Sequence, residues 1–187
     1  MFREWWAAAR RAGTPLAHPD AVCVSTVDEH GVPDGRFVEL KAVSDGGFVF
    51  CTDLDSPKGR ALTANPGVAL TFWWDHVGRQ VRVVGRAERI ADAEADAFFR
   101  ARPRDARLAS WASRQSAPLG DPRELALRLA EVERRFAGGD VPRPERWGGF
   151  RVVPSRVEFL TFSASRMHER VVFERREGSW VRHALQP

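Results

Sequence analysis

From Ala21 onward the chain is dominated by short runs of β-branched and aromatic residues, each about a turn apart from the next. That rhythm restricts it to a β-rich fold. Ala21–Val27 is followed by the turn Asp28-Glu29-His30-Gly31 and then by Arg36–Lys41, and Asp45-Gly46-Gly47 leads into Phe48–Thr52. These three strands predict an antiparallel meander. Val68–Trp74 and Gln80–Ile90 are two more strands, and the second alternates polar with apolar residues as a half-buried strand does. Gly149–Val153 and Arg156–Leu160 add two further strands, and a closing hairpin joins Val171–Glu174 to Trp180–His183.

Helices are predicted around this β framework. Phe2–Ala12 places Trp5, Trp6 and Ala9 on one side and ends at Gly13 and Pro15. Ser56–Ala64 has a serine cap and a proline in its first turn, where a missing N–H costs nothing. Asp92–Arg100 stops before Pro103. In Pro122–Phe136, Asp121 caps, Glu124 completes a capping box, and Leu125, Leu129, Val132 and Phe136 form an apolar stripe for core or interface packing. No repeat or low-complexity segment interrupts the 187 residues, and Pro142-Arg143-Pro144 is a local connector. A chain of this length forms one sizeable core, so one domain over residues 1–187 is expected.

Composition removes several classes of function. No apolar run approaches the length of a membrane span, and Met1–Trp6 lacks the basic and apolar regions of a secretory signal. Cys23 and Cys51 each lie in a strand-like run, where a thiol acts as a small core side chain, so a reducing, cytoplasmic setting is the expectation. The net charge is +4, but Arg alternates with Asp and Glu and no basic block stands out. That pattern argues against nucleic acid and for a few arginines holding small anions.

Only two of the 29 basic residues are lysines, Lys41 and Lys58. A compact ammonium differs physically from a planar guanidinium fork. By themselves the two lysines are equally compatible with compositional drift and with specific use.

No Gly-rich phosphate loop, no His/Cys cluster with metal spacing and no nucleophile elbow is present. Hard chemistry in such a chain belongs to an organic cofactor. What remains are donors suited to phosphate oxygens and to the polar edge of a ring system. They are Arg36, Lys41, Lys58, Gln80, Arg102, Arg104, Gln115-Ser116, Arg166, His168 and Arg170.

The order and spacing of several segments resemble the pyridoxamine 5′-phosphate oxidase family over nearly the whole chain. They are Arg36–Lys41, Phe50-Cys51-Thr52 with Ser56-Pro57-Lys58, Arg79-Gln80-Val81, Arg102-Pro103-Arg104-Asp105, Ser113–Ser116, Trp147–Arg151 and Arg166–Arg170. The last two belong to a C-terminal region, 147–187, that simpler members of the fold lack. The resemblance implies a mainly β protein with flanking helices, an FMN-binding split β-barrel, working as a homodimer with FMN between subunits. It implies that Arg36, Lys58 and Thr52 hold the FMN phosphate, with Cys51 beside them. Phe37, Val38, Glu39, Gln80, Gln115, Ser116 and Arg170 would edge the flavin. Lys41 and Arg102 would bind the phosphate of a vitamin B6 substrate, and Arg166 and His168 would lie against its ring as the catalytic pair. Both lysines then fall on phosphate positions.

The implied reaction passes a hydride from the substrate's 4′ carbon to the flavin, with O2 reduced to H2O2. No general base is assigned. A paralogous FMN oxidase of the phenazine-biosynthesis type and a non-catalytic FMN- or pyridoxal-phosphate-binding protein are the alternatives. The chain departs from the family pattern at five places. Pro57 replaces a basic residue, Phe98 and Ala106 replace a Tyr and a Ser at the substrate phosphate, Leu160 replaces a flavin-side Trp, and Glu39 puts a carboxylate in a strand that is normally apolar. Each lost phosphate hydrogen bond costs about 1.5–3 kcal/mol.

Overall fold

The computed structural model describes residues 1–13, 17–44 and 46–187. Pro15, expected to end a helix, and Asp45, expected in a turn, lie outside them. Helix α1 (Phe2–Arg11) leads to β1 (Ala21–Val27), β2 (Pro33–Ser44) and β3 (Gly47–Asp53). Helix α2 (Pro57–Ala64), β4 (Gly67–Trp74) and β5 (Arg79–Arg89) follow, then α3 (Asp92–Arg100), α4 (Arg104–Ala112) and α5 (Pro122–Arg135). The chain ends with β6 (Trp147–Thr161), β7 (Glu169–Arg176) and β8 (Ser179–Leu185).

The strands pair in the order β3-β2-β1-β4-β5-β6-β7-β8, and an additional β3–β6 pairing closes the first six into an antiparallel barrel. The β7–β8 hairpin continues the sheet outward from the far end of β6. Closure removes the exposed edges that an open sheet would carry.

Inside the barrel, alternate residues converge: Val22 and Val24, Leu70, Phe72 and Trp74, Val81 and Val83, Phe150 and Val152. Helix α1 closes one end with Phe2, whose ring stands edge-on to Phe48 at 4.8 Å and to Phe72 at 5.0 Å. A second, smaller core of Val49, Ile90, Ala95, Phe99 and Trp147 fixes α3 to the outside of the barrel.

Two expectations are corrected and one unanticipated helix is added. Gly149–Val153 and Arg156–Leu160 are one strand, β6, because a bulge opposite Val84/Gly85 absorbs Pro154-Ser155, where the ladder needs no donor. The segment after Pro103 is a helix, α4, with Pro103 at its N-cap. The capping box of α5 does not form: Asp121 accepts from the Arg123 N–H at 2.9 Å, while Glu124 pairs with Arg128 at 2.8 Å. The apolar stripe of α5 is only partly covered, with Phe136 against Trp111 at 5.3 Å.

Candidate functional site

Lys58 sits in the second position of α2, behind a Ser56 cap that accepts from the Gly59 N–H. A side chain at 59 would place its Cβ 2.2 Å from the Leu54 carbonyl oxygen, so only glycine lets the helix start this close to β3. The closeness buries Lys58, which is 5% exposed. Its Nζ donates to Gln115 Oε1 at 2.7 Å, to Thr52 Oγ1 at 3.2 Å and to Ser56 Oγ at 3.5 Å. Thr52 Oγ1 in turn donates to Gln115 Oε1 at 2.9 Å. All three partners of the ammonium are neutral. Burial pulls its pKa below the ordinary lysine value, and the nearby Arg36 guanidinium pulls it further, against the opposing pull of Asp53 and Asp34. A buried cation beside a second cation, held only by neutral oxygens, lacks a counter-charge, and a phosphate dianion supplies one. The residues present therefore fit a phosphate group. Arg36 is oriented by bonds to the Val24 carbonyl (3.2 Å), Thr26 Oγ1 (2.8 Å) and the Asp34 carboxylate.

Next to this cluster lies a cavity of about 550 Å³, walled by Glu39, Lys41, Cys51, Thr52, Phe98, Arg102, Ala106, Ser110, Gln115 and Trp147 among others. Lys41 is the extra residue where the β2–β3 register shifts between Leu40 and Ala42, and such a bulge re-aims a side chain. Its Nζ donates to Glu39 Oε2 at 2.6 Å. Arg102, in the turn between α3 and α4, donates to Ser110 Oγ at 2.6 Å and lies over the Trp147 ring at 5.2 Å. Burial lowers its pKa. Burial also pushes the Cys51 thiol up to about 12. Phe98 and Ala106 bring no hydroxyl to this wall. The expected residues Arg36, Glu39, Lys41, Cys51, Thr52, Lys58, Arg102 and Gln115 are thus gathered at one end of the barrel. Phe37 and Val38 line a neighbouring hollow with Glu39, and Ser116 is exposed with a φ of 65°.

The remaining expected residues lie elsewhere. Gln80 pairs with Leu160 across β5–β6, and Leu160 with Arg170 across β6–β7. Arg166 and His168 occupy the connection between β6 and β7. The Ser163 N–H donates to His168 Nδ1 at 3.0 Å, so a neutral ring carries its proton on Nε2. Thr52 is opposite Gly148 near the start of β6, and Gln80 opposite Leu160 near its end. Twelve residues of strand separate them, about 40 Å of strand path. Within one chain the two groups of donors do not meet.

Two structural supports escape a reading of the sequence. Glu158, 1% exposed, accepts from Arg170 Nε and Nη2 at 3.0 and 2.7 Å, and from Arg156 and Arg82 at 3.2 and 3.3 Å. Arg146 bonds Asp53 Oδ2 at 3.1 Å and caps the end of α4 through the carbonyls of Ser110, Trp111 and Ser113, which fixes the approach of Gln115. Both are ordinary charged residues in sequence, and only the pairing of distant strands makes them central.

Residues 10–136 match the family described as pyridoxamine 5′-phosphate oxidase, and residues 147–187 match the pyridoxine 5′-phosphate oxidase C-terminal dimerisation region. The chain is 49% identical over 186 residues to a pyridoxine/pyridoxamine 5′-phosphate oxidase of Myxococcus xanthus, covering 100% of this chain and 89% of the relative. It is 46% identical over 187 residues to the enzyme of that name from Synechocystis, covering 100% and 86%. The structure superimposes with a TM-score of 0.93 on PhzG from Burkholderia lata in complex with tetrahydrophenazine-1-carboxylic acid, at 31% identity and with 100% and 90% of the two chains covered. A pyridoxamine 5′-phosphate oxidase-related, FMN-binding protein of Nostoc punctiforme shares the fold at a TM-score of 0.79 and 16% identity, with 100% and 97% covered.

Proposed function

The chain belongs to the pyridoxamine 5′-phosphate oxidase family, and on that premise we propose that it oxidises pyridoxamine and pyridoxine 5′-phosphate to pyridoxal 5′-phosphate, with FMN held between two copies. The observation that carries the reading is Lys58: a buried ammonium whose neutral partners Thr52 and Gln115 line a cavity that Lys41 and Arg102 also face. Lys58, Arg36 and Thr52 take the FMN phosphate, and Gln115 moves from Lys58 to the flavin edge. Lys41 and Arg102 take the substrate phosphate. When bound, FMN supplies the hydride acceptor and passes the electrons to O2 as hydrogen peroxide.

The protein's own contribution is positioning and charge. Arg102, stacked on Trp147 and tied to Ser110, offers a guanidinium fixed before the substrate arrives. His168, with Nδ1 occupied by a backbone N–H, presents Nε2–H as a donor. Arg170, held by Glu158, keeps Nη1 and Nη2 in a set plane.

The second copy enters because one cofactor is much shorter than the strand path between Lys58 and Arg170, so the Gln80, Arg166, His168 and Arg170 group comes from the partner. The match of residues 147–187 to a dimerisation region supports this. No helix among the described residues is long and apolar enough to cross a membrane, and both cysteines are free thiols, which suits a cytoplasmic setting.

Reconstitution with FMN, followed by peroxide release on adding pyridoxamine or pyridoxine phosphate, tests the reading. A colourless protein that refuses FMN sinks it. The lack of a side-chain hydroxyl at Phe98 and Ala106 favours one second reading, a flavin oxidase of a dihydrophenazine carboxylate. Turnover of that substrate in place of the vitamin B6 phosphates would select it.

A further inference from the structure

We propose that Glu39 is a specificity-determining residue that pairs with Lys41 and competes for it with the anionic end of the substrate. The proposal rests on the placement of the substrate phosphate at Lys41 and Arg102. Glu39 and Lys41 are two apart on β2, line the same cavity, and form an ion pair at 2.6 Å. The carboxylate is 62% exposed and the ammonium 28%, so the pair opens from the Glu39 side, toward water. Pairs this exposed are weak and exchangeable.

Charge counting shows what the pair does. Two cations, Lys41 and Arg102, and one carboxylate, Glu39, face the cavity, while Asp53 in the same wall is bound by Arg146 at 3.1 Å. The three charges sum to +1. A phosphate dianion matches two cations, yet at Lys41 it must share the ammonium with Glu39, which faces it as a like charge. A monoanion such as an aromatic carboxylate is satisfied by Arg102 with the Glu39–Lys41 pair intact. Glu39 therefore weakens phosphate binding and narrows the margin by which the cavity prefers a dianion to a monoanion.

Glu39→Gln tests this, with Glu29→Gln as a control that removes the same charge from an exposed turn. Three quantities are read: KM for pyridoxamine phosphate, the dissociation constant of pyridoxal phosphate by equilibrium titration, and competitive inhibition by inorganic phosphate against benzoate. In Glu39→Gln the first two are expected to fall about two- to fivefold, the range of an exposed ion pair. The phosphate inhibition constant falls equally, and the benzoate constant falls less. Unchanged or raised values overturn the proposal, as does an equal fall in Glu29→Gln. The titration needs no turnover, so an inactive wild-type enzyme counts against the oxidase reading alone.

Discussion

Lys58 joins stability to binding in a single side chain. Its ammonium is buried without a counter-ion, and the fold tolerates that cost because a phosphate can offset it. Lys58→Met keeps the length and removes the charge, and the Thr52 and Ser56 hydroxyls keep their other acceptors. The FMN-free protein is therefore expected to be as stable as wild type or more stable by up to about 2 kcal/mol. FMN affinity is expected to fall by about 10- to 100-fold, the worth of a charge-assisted bond. Thermal melts and FMN titration read the two effects, and a variant that melts lower yet binds FMN normally contradicts the assignment. Cys51 behaves in the opposite sense. Its thiol is raised to about 12, so the folded chain keeps a proton that the unfolded chain loses near 9. The stability this contributes is complete below about pH 9 and is lost as pH climbs toward 12. Iodoacetamide at pH 8 is expected to leave Cys51 unmodified in the folded protein and to label it rapidly in urea. Fast labelling of the native protein would show a thiolate in the cavity wall. At this scale the sequence was informative where a residue type was scarce: of the two lysines among many arginines, one is buried against neutral partners and the other lies in the wall of the adjoining cavity. It was silent on Arg146 and Glu158, whose partners include residues 93 and 76 positions away.

Among the elements, β6 organises the molecule. It pairs with β3 and β5 to close the barrel and with β7 to carry the extension. Alternation made the strand interiors legible in the sequence, because a period of two survives any tertiary context that buries one face. The bulge at Pro154 was not legible, since a proline inside an apolar run reads as a break until its partner strand is known. Helix α4 was missed for a related reason: Arg102-Pro103-Arg104 reads as an interruption, whereas the proline is the helix cap. Glu158 shows why the extension holds its shape. One carboxylate neutralises arginines from β5, β6 and β7, with Glu174 also taking Arg156 at 3.2 Å. Removing it as Glu158→Ala leaves three partly exposed guanidinium groups without their shared carboxylate. A loss of about 1.5–3 kcal/mol, the worth of a hydrogen bond to a charged group, is expected from denaturant melts. Glu158→Gln, which keeps the shape and some hydrogen bonds, is expected to lose less. Equal small losses in both would mean that the arginines simply turn to solvent.

For the whole molecule, the separation of the two donor groups decides how the sites are built. Lys58, Arg36, Lys41 and Arg102 gather at one end of the barrel; Gln80, Arg166, His168 and Arg170 lie about 40 Å of strand path away. In the proposed dimer, two copies related by a twofold axis would bring one copy's first group against the other's second group, twice over. That arrangement gives an expectation which a one-chain site cannot meet. Lys58→Met and a chain with both Arg166→Ala and His168→Ala are each expected to be nearly inactive as pure dimers. When equal amounts are mixed and allowed to exchange subunits, half of the dimers pair one of each. Every mixed dimer then carries one site with all its wild-type residues and one site damaged on both sides. Activity is expected to climb to about a quarter of wild type, while FMN content stays at the average of the two pure dimers, because exchange leaves the number of intact Lys58 residues unchanged. If both groups served the same chain's site, mixing would restore nothing, and the order of the strands would have to be reconciled with a far longer reach than one bound nucleotide has.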